Sequence, residues 1–331
     1  MHLLVKPAGP DCNISCPRCF YKCKEALFSG GAHRMKDEVA EKLLAATSVT
    51  FQGGEPLLMG LDFFKRFADR GVECSIQTNG TLVTPEIAKF LAKEKWLVGI
   101  SFDGPKPIHD RTRDNSYDAA RRGYDLLMEA GAEVNVLTLV TSANVSDPEG
   151  IYRFVRDDLG AKFHQYIECT EDISGGEWAD FLIRVFGEWE RLGDQRRISV
   201  RNFDSVFNWM AAGMRCSCTS SPDCRNYLVV EHTGDVYPCD FFVDPEWKLG
   251  NILRDSLADL VRNPRYAEFG RRKAQMPMRC RTCRWLEFCN GDCVKNRLGG
   301  DATRLCPGID RFFAHAVPRL ARILEEMRRD G

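Results

Sequence analysis

The sequence has no long hydrophobic run and no excess of charge of either sign. Its apolar stretches are all shorter than the roughly 20 residues that a bilayer-spanning helix requires, so no membrane-spanning segment is predicted. Lysine and arginine total 46 against 47 aspartate and glutamate residues, which leaves a net charge of −1. A balanced charge gives no basic field that would attract nucleic acid. We therefore expect neither a membrane nor a nucleic acid as a partner.

Targeting signals and repeats are missing as well. The opening Met-His-Leu-Leu-Val-Lys-Pro lacks the charged segment and apolar core of a signal peptide. No internal repeat or low-complexity segment occurs. These absences predict a cytoplasmic protein, which we expect to be a monomer.

Cysteine, in contrast, is abundant, with 15 residues among 331. Disulfides are rare in a reducing compartment, so this many thiols indicates metal binding or catalysis. The chain is long enough to hold one large domain and a smaller one. Because the composition shifts toward cysteine around residues 201–215, we predict domains over residues 1–212 and 213–331.

The first half of the chain alternates strand-like runs with segments of helical period. Six candidate strands are Leu3–Lys6, Val49–Gln52, Glu73–Thr78, Val98–Phe102, Val134–Thr141 and Phe163–Glu168. Six such β–α units predict an α/β fold with a parallel sheet, either open or curled into a partial barrel. In these folds the chemistry lies at the C-terminal ends of the strands.

Three cysteines follow the first strand: Cys12, Cys16 and Cys19, called here the N-terminal cysteines. Thiolates at C-x3-C-x2-C spacing gather one soft metal centre. Three ligands on a four-iron cluster would leave one iron open to a small molecule. Two alternatives include Cys23 as a fourth ligand: a closed, ferredoxin-like cluster or a zinc site. The spacing by itself leaves these possibilities open.

Polar residues also follow the next three predicted strands. Gly53, Gly54, Glu55 and Pro56 end the second strand, where glycines permit close backbone approach and a carboxylate can meet an ammonium group. Asn79 and Ser101 end the third and fourth strands. Each of these sequences is also a good turn, so none is decisive by itself.

Nine further cysteines lie beyond the predicted domain boundary. They are Cys216, Cys218, Cys224, Cys239, Cys280, Cys283, Cys289, Cys293 and Cys306. Eight thiolates suffice for two four-ligand sites, which zinc or iron–sulfur clusters would fill. Two strand-like runs, Tyr227–Glu231 and Asp235–Tyr237, predict a hairpin that delivers Cys239. Upstream, Glu177–Arg191 has the apolar spacing of an amphipathic packing helix.

The N-terminal cysteines followed by Gly-Gly-Glu-Pro resemble the radical S-adenosylmethionine (radical SAM) enzymes. This resemblance implies a partial (β/α)6 barrel and a four-iron cluster whose open iron chelates S-adenosylmethionine. It implies that Gly53, Gly54, Glu55 and Pro56 contact that cofactor, together with Asn79 and Ser101.

The cysteine-rich tail resembles the SPASM extension, which holds two auxiliary four-iron clusters. By position, the first auxiliary set is Cys218, Cys224, Cys239 and Cys293. The second auxiliary set is Cys280, Cys283, Cys289 and Cys306. The resemblance thus implies three [4Fe-4S] clusters in total, with Cys216 excluded.

Across nearly the whole chain, the motifs resemble the anaerobic sulfatase-maturating enzymes. They include Phe-Gln-Gly-Gly-Glu-Pro, Gln-Thr-Asn-Gly-Thr-Leu and Val-Tyr-Pro-Cys-Asp-Phe-Phe. This resemblance implies oxidation of a serine or cysteine in a sulfatase peptide to Cα-formylglycine. It implies Asp240 as the general base, Tyr21 as an active-site residue, and a reducing donor such as flavodoxin or ferredoxin.

Two rival hypotheses remain at this point. One is a SPASM maturase that cross-links or epimerises another peptide. The other is an iron–sulfur electron carrier without catalysis, which Gly53–Pro56 disfavours. The sequence does not decide whether the target residue is serine or cysteine.

Overall fold

The computed structural model describes residues 1–28, 30–297 and 302–330, and its strands follow the predicted alternation. In chain order they are β1 (His2–Lys6), β2 (Ser48–Phe51), β3 (Glu73–Thr78), β4 (Leu97–Ser101), β5 (Val134–Val140), β6 (Phe163–Glu168), β7 (Ser199–Val200), β8 (Leu228–Glu231), β9 (Asp235–Tyr237) and β10 (Gly250–Asn251). All six predicted strands are present, and each predicted end lies within one residue of the observed end. The α/β prediction is confirmed.

The helices alternate with the strands of the first half. They are α1 (Asp37–Leu43), α2 (Leu61–Ala68), α3 (Pro85–Lys93), α4 (Lys106–Thr112), α5 (Tyr117–Glu129), α6 (Pro148–Arg153), α7 (Gly175–Arg191), α8 (Arg201–Ala212), α9 (Leu257–Arg262), α10 (Pro264–Ala274), α11 (Met278–Arg281), α12 (Leu286–Cys289) and α13 (Cys306–Asp330). A π-helical turn, Phe154–Asp158, follows α6. None of the helices in the described ranges has the length and apolarity to cross a bilayer.

The chain divides into two compact units, and both are discontinuous in sequence. Unit 1 consists of Met1–Ser101, His109–Val134 and Cys224–Arg271. Unit 2 consists of Phe102–Ile108, Asn135–Asp223 and Arg272–Gly331. The boundary between residues 212 and 213 stays a prediction about domain organisation.

Unit 1 is built on strands in the order β10-β9-β8-β1-β2-β3-β4. Strands β1 to β4 pair in parallel with their neighbours. The predicted hairpin is confirmed, because β8 and β9 pair antiparallel. Strand β8 also pairs in parallel with β1, with Leu3 opposite Leu228. That pairing was not predicted, because a parallel contact between strands so far apart in sequence leaves no local pattern.

An aromatic cluster fills one side of unit 1. The ring of Phe51 on β2 packs against Phe67 on α2 and against Trp96, with centroids 4.9 and 5.7 Å apart. Both Phe51 and Phe67 are fully buried. Burial of aromatic rings of this size stabilises a core by a few kcal/mol each. This aromatic packing holds β2 in position, and the Gly53–Pro56 loop follows β2 in the chain.

Unit 2 joins the parallel strands β5, β6 and β7 to a helical layer. Helix α7 begins with a capping box between Ser174 and Glu177, which satisfies its first backbone N–H groups. Its predicted apolar face is buried, so its role as a packing helix is confirmed. The start of α13 lies very close to α7: a Cβ atom added to Gly308 would be 1.7 Å from the carbonyl oxygen of Gly175.

Candidate active site

The loop after β1 carries the N-terminal cysteines. Cys12 and Cys19 are exposed, and Cys16 is half-buried. A turn links the last two, since the Cys19 amide donates to the Cys16 carbonyl at 3.3 Å. Among the described residues, no group of three or more His, Cys, Asp or Glu side chains is arranged around a single metal ion. Exposed thiols on one short loop are compatible with a cluster, whose irons spread its ligands more widely than one ion does.

The Gly53–Pro56 loop packs directly on the cysteine loop. The Gly54 amide donates to the Gly9 carbonyl at 2.9 Å, and the Glu55 amide donates to the Asp11 carbonyl at 2.8 Å. A Cβ atom on Gly54 would lie 1.8 Å from the Asp11 carbonyl oxygen. The sequence predicts that a ligand approaches this backbone closely. At Gly54, the group that approaches is the protein's own Asp11 carbonyl. Glycine is required there so that the two loops can lie side by side.

Glu55 presents a fully buried carboxylate. It accepts hydrogen bonds from the amides of Leu57 at 3.1 Å and Asn79 at 2.8 Å, and from the Thr78 hydroxyl at 2.7 Å. Burial raises the pKa of Glu55 to about 7, although these hydrogen bonds oppose the shift. All three donors are neutral, so this carboxylate fits a cationic ligand such as the ammonium group of S-adenosylmethionine.

Asn79 connects the end of β3 to the cysteine loop. Its side-chain amide nitrogen lies 3.0 Å from the Asn13 side-chain oxygen and 3.6 Å from the Cys12 sulfur. Its side-chain oxygen accepts from the amide and hydroxyl of Thr81. Ser101 is buried at the end of β4, and Pro56 is buried at the start of a 3-10 turn. Contact of these residues with S-adenosylmethionine stays a prediction.

Cys23, the alternative fourth ligand, lies on the 3-10 helix Lys22–Leu27 and is exposed. Its thiol donates to the Phe20 carbonyl at 3.2 Å. This hydrogen bond gives the Cys23 thiol an acceptor when no metal is bound. Cys23 as a fourth cluster ligand stays an alternative prediction.

Asp240 lies at the centre of a buried polar network in unit 1. Its Oδ2 accepts from the Gln52 side-chain amide at 3.1 Å, and its Oδ1 accepts from the Tyr227 hydroxyl at 3.1 Å. The Lys6 Nζ atom is 3.9 Å from Oδ2. Asp240 is 8% exposed, so its carboxylate is fixed by its partners while remaining reachable from outside the core. A general base needs this combination of rigid placement and access.

Tyr21, the second predicted catalytic residue, borders the same network. Its hydroxyl donates to the Glu231 carboxylate, with oxygen distances of 2.7 and 2.5 Å. Burial and the adjacent Glu231 charge raise the pKa of Tyr21 well above its ordinary value. The Lys6 ammonium lies over the Tyr21 ring, 4.5 Å from the centroid. Tyr21 is therefore a neutral hydrogen-bond donor that holds Glu231.

Four residues of this network were not predicted as site residues: Lys6, Gln52, Tyr227 and Glu231. Lys6 had a signal, because a lysine that ends a strand directly after three consecutive apolar residues is unusual in a buried strand. Gln52 precedes the glycine pair, and Glu231 ends a strand. Nothing in the local pattern indicates that these positions meet.

The second auxiliary set lies entirely within unit 2. Cys280 is buried, and Cys283, Cys289 and Cys306 are half-buried. The Cys283 amide donates to the Cys280 carbonyl at 3.1 Å, and the Cys283 sulfur accepts from the Trp285 amide at 3.4 Å. Burial raises the pKa of Cys289 to about 12, so iron binding has to displace its proton. Four thiols that are buried or half-buried are suited to ligate an iron–sulfur cluster shielded from solvent.

The first auxiliary set has two members in each unit. Cys224 and Cys239 belong to unit 1, and Cys218 and Cys293 belong to unit 2. Cys216, which the prediction excluded, has its sulfur 3.3 Å from the Asn208 side-chain amide nitrogen. Which cysteines hold which cluster stays a prediction.

Comparison with known proteins identifies the family. Residues 7–155 match the model of the radical SAM superfamily, and residues 218–284 match that of the SPASM iron–sulfur cluster-binding domain. The chain is 32% identical to the serine-type anaerobic sulfatase-maturating enzyme of Bacteroides thetaiotaomicron, over 99% of this chain and 92% of that protein. It is also 32% identical to the cysteine-type enzyme of Clostridium perfringens, over 99% of both chains.

The chain belongs to the anaerobic sulfatase-maturating enzyme family. A solved structure described as native anSMEcpe with bound AdoMet matches it with a TM-score of 0.91 and 31% identity, covering 98% of this chain and 99% of that one. The α/β radical SAM fold with a SPASM domain is thereby confirmed. The protein is an enzyme, so the hypothesis of a non-catalytic electron carrier is wrong. Iron–sulfur clusters and S-adenosylmethionine are confirmed as its classes of cofactor.

Proposed function

We propose that this enzyme oxidises a serine or cysteine side chain of a sulfatase peptide to Cα-formylglycine. The observation that carries the proposal is the placement of Asp240, one residue beyond the predicted cluster ligand Cys239 and held by neutral donors on both oxygens. Its relatives of the serine type and the cysteine type match the chain equally well, so the target residue can be either.

The cofactors have candidate positions in the chain. The N-terminal cysteines would hold the cluster that binds S-adenosylmethionine, and Glu55 would receive the cofactor's ammonium group. The two auxiliary sets would hold one [4Fe-4S] cluster each, which makes three. When bound, these groups supply the 5′-deoxyadenosyl radical and accept the electron that substrate oxidation releases.

Asp240 would take the proton of the substrate's hydroxyl or thiol. Gln52 and Tyr227 each donate to a different oxygen of the carboxylate, which fixes its plane. The Cys239 thiol also donates to Oδ1 at 3.6 Å, so Oδ2 is the oxygen that keeps a lone pair for the substrate, because a carboxylate accepts about four hydrogen bonds. A base held in this way contributes typically a hundredfold or more to the rate.

The remaining partners follow from this chemistry. The substrate would be a peptide or unfolded segment that contains the sulfatase serine or cysteine motif. A low-potential donor such as flavodoxin or ferredoxin would supply the first electron. We propose that the enzyme acts as a cytoplasmic monomer.

The test is anaerobic incubation with S-adenosylmethionine, a chemical reductant and sulfatase-motif peptides, followed by mass spectrometry. Peptides with serine, cysteine or alanine at the target position are compared. We expect loss of two hydrogens from the serine peptide, formylglycine from the serine or the cysteine peptide, and no change in the alanine peptide. Cleavage of S-adenosylmethionine without oxidation of either peptide would instead favour a maturase that acts on another substrate.

A further inference from the structure

Lys6 has an exceptional environment among the buried cations of the described residues. Its side chain is fully buried at the end of β1. No protein acceptor in the described residues forms a hydrogen bond with its Nζ atom. The atom lies 3.9 Å from Asp240 Oδ2 and 4.5 Å from the centroid of the Tyr21 ring. Its N–H groups therefore lie beside the proposed base without an acceptor of their own.

Other lysines of the chain show how an ammonium group away from solvent is usually hydrogen-bonded. Lys273 is also fully buried, but its ammonium donates to the backbone carbonyls of Thr219 and Asp292. The half-buried Lys24 donates to the Val243 carbonyl at 2.9 Å. Burying an ammonium group without hydrogen bonds costs several kcal/mol. The Asp240 carboxylate and the Tyr21 ring are the charged and aromatic neighbours of Lys6, and neither forms a hydrogen bond with its Nζ atom, so the N–H groups are available to a further acceptor.

The surroundings of Lys6 are built to hold its stem. Gly53 has a left-handed φ of +131°, and a Cβ atom on it would lie 3.1 Å from Lys6 Cδ. A glycine at this position leaves room for the lysine stem, while β1 fixes its backbone. The ammonium is thus held in place beside Asp240 without a direct hydrogen bond to it.

We infer that Lys6 is a further catalytic residue, whose ammonium donates a hydrogen bond to the substrate's side-chain oxygen or sulfur as that atom loses its proton to Asp240. The inference rests on the proposed function. The oxygen or sulfur of the substrate can lie within hydrogen-bond distance of both Lys6 Nζ and Asp240 Oδ2, because the 3.9 Å between these two atoms is less than twice an ordinary hydrogen-bond length. The ammonium then faces the negative charge that develops on the substrate.

The step balances with S-adenosylmethionine as the source of the radical; with a cysteine substrate, the thioaldehyde product then takes up water and releases sulfide to give formylglycine. The substrate Cβ–H bond breaks homolytically, and its hydrogen forms a C–H bond of 5′-deoxyadenosine. The O–H or S–H proton moves to the Asp240 carboxylate, while Lys6 keeps its own protons. The electron released as the carbon–oxygen or carbon–sulfur double bond forms would go to an oxidised cluster held by one of the two auxiliary sets. A fixed cation at the heteroatom stabilises this charge, and one such donor is worth about a hundredfold in kcat.

The experiment compares Lys6→Met, Lys6→Arg and wild type as reconstituted holoenzyme, with Lys24→Met as the matched control. The substrate is a serine sulfatase peptide deuterated at the target Cβ. Deuterium in 5′-deoxyadenosine reports hydrogen abstraction, and formylglycine reports the completed oxidation. We expect Lys6→Met to keep deuterium transfer and KM, and to yield about a hundredfold less formylglycine per 5′-deoxyadenosine. Lys6→Arg should recover part of the yield, and Lys24→Met should match wild type.

Two outcomes would overturn the inference. One is an unchanged product ratio in Lys6→Met; the other is a parallel loss of deuterium transfer and product, which indicates a structural role. If Lys6→Met fails to bind iron, the ratio of formylglycine to 5′-deoxyadenosine is measured in Lys6→Gln and Lys6→Arg, and the same two outcomes apply. Failure of wild type to oxidise any sulfatase peptide is a different result, because it rejects the proposed function itself.

Discussion

Two buried carboxylates, Glu188 in unit 2 and Glu55 in unit 1, are satisfied in opposite ways. In unit 2, Glu188 accepts from the Arg153 and Arg191 guanidinium groups at 2.6 and 2.7 Å. The hydrogen bonds from Arg191 and then Arg153 lower the pKa of Glu188 to about 2. In unit 1, Glu55 has only neutral donors, and burial raises its pKa to about 7. Two arginines neutralise Glu188, whereas no cation among the described residues pairs with the Glu55 carboxylate.

The cysteines show a related difference. The N-terminal cysteines of unit 1 include two exposed thiols, whereas the second auxiliary set of unit 2 is buried or half-buried. A cluster that meets a cofactor needs access, and one that only accepts electrons does not. A buried charge without a countercharge, such as that of Glu55, is therefore a candidate for ligand binding, because it costs stability unless a ligand neutralises it.

The strongest test of this difference is a pair of cysteine variants in unit 1. Cys19→Ala should abolish cleavage of S-adenosylmethionine, because the open-iron cluster would lose one of its three ligands. Cys23→Ala should keep cleavage, because the cofactor that Gly53–Pro56 is predicted to bind needs an iron that no fourth thiolate occupies. The measurements are 5′-deoxyadenosine after chemical reduction and iron per chain. Equal loss in both variants would indicate a closed four-thiolate cluster and remove the distinction between the units.

The next effect concerns Asp240. Asp240→Asn should keep the clusters and hydrogen abstraction, while formylglycine per 5′-deoxyadenosine falls by about a hundredfold or more. The amide keeps the size of the carboxylate but does not take the substrate proton. Asp204→Asn in unit 2, at a carboxylate bonded to Ser199, is the matched control. An unchanged ratio in Asp240→Asn would mean that Asp240 has a structural role like that of the unit 2 carboxylates.

Glu55 allows a test by pH as well as by mutation. Ionised Glu55 attracts an ammonium group, so affinity for S-adenosylmethionine should weaken as the pH falls below about 7, where this carboxyl becomes protonated. Glu55→Gln should bind the cofactor about ten- to hundredfold more weakly, as expected for loss of a charged hydrogen bond. Its affinity should also lose this pH dependence. Equilibrium binding at several pH values checks both points, and wild-type affinity that is constant from about pH 6 to 8 would contradict the assignment.

The smallest effect is expected in unit 2. Glu188→Gln should lower the free energy of unfolding at neutral pH by about 1–2 kcal/mol, allowing for solvent screening of the two arginines. Because the folded pKa is depressed, this contribution is complete above about pH 4.5 and disappears as the pH falls toward 2. Asp62→Asn, at the exposed pair with Lys65, is the control and should change nothing measurable. Denaturant unfolding at about pH 7 and about pH 3 provides the measurement, and equal stability of Glu188→Gln and wild type at neutral pH would refute the expectation.

Much of the fold follows from local patterns in the sequence. The strand ends were predicted within one residue because apolar runs and flanking glycines act over a few positions. The β8–β9 hairpin and helix α7 were predicted for the same reason. The spacing of the N-terminal cysteines and the Gly53–Pro56 loop also indicated the family, since a metal centre constrains residues that are neighbours along the chain.

The buried network around Asp240 depended on the tertiary structure. Gln52 and Asp240 are 188 positions apart, and Tyr21 and Glu231 are 210 apart, yet both pairs form hydrogen bonds. The parallel pairing of β8 with β1 brings these residues together. The requirement for glycine at position 54 likewise comes from a neighbouring loop, at Asp11. Sequence alone determined the local elements and the family motifs, because those depend on adjacent residues. The tertiary structure decided which charges meet and which stay unsatisfied, because that depends on the path of the whole chain.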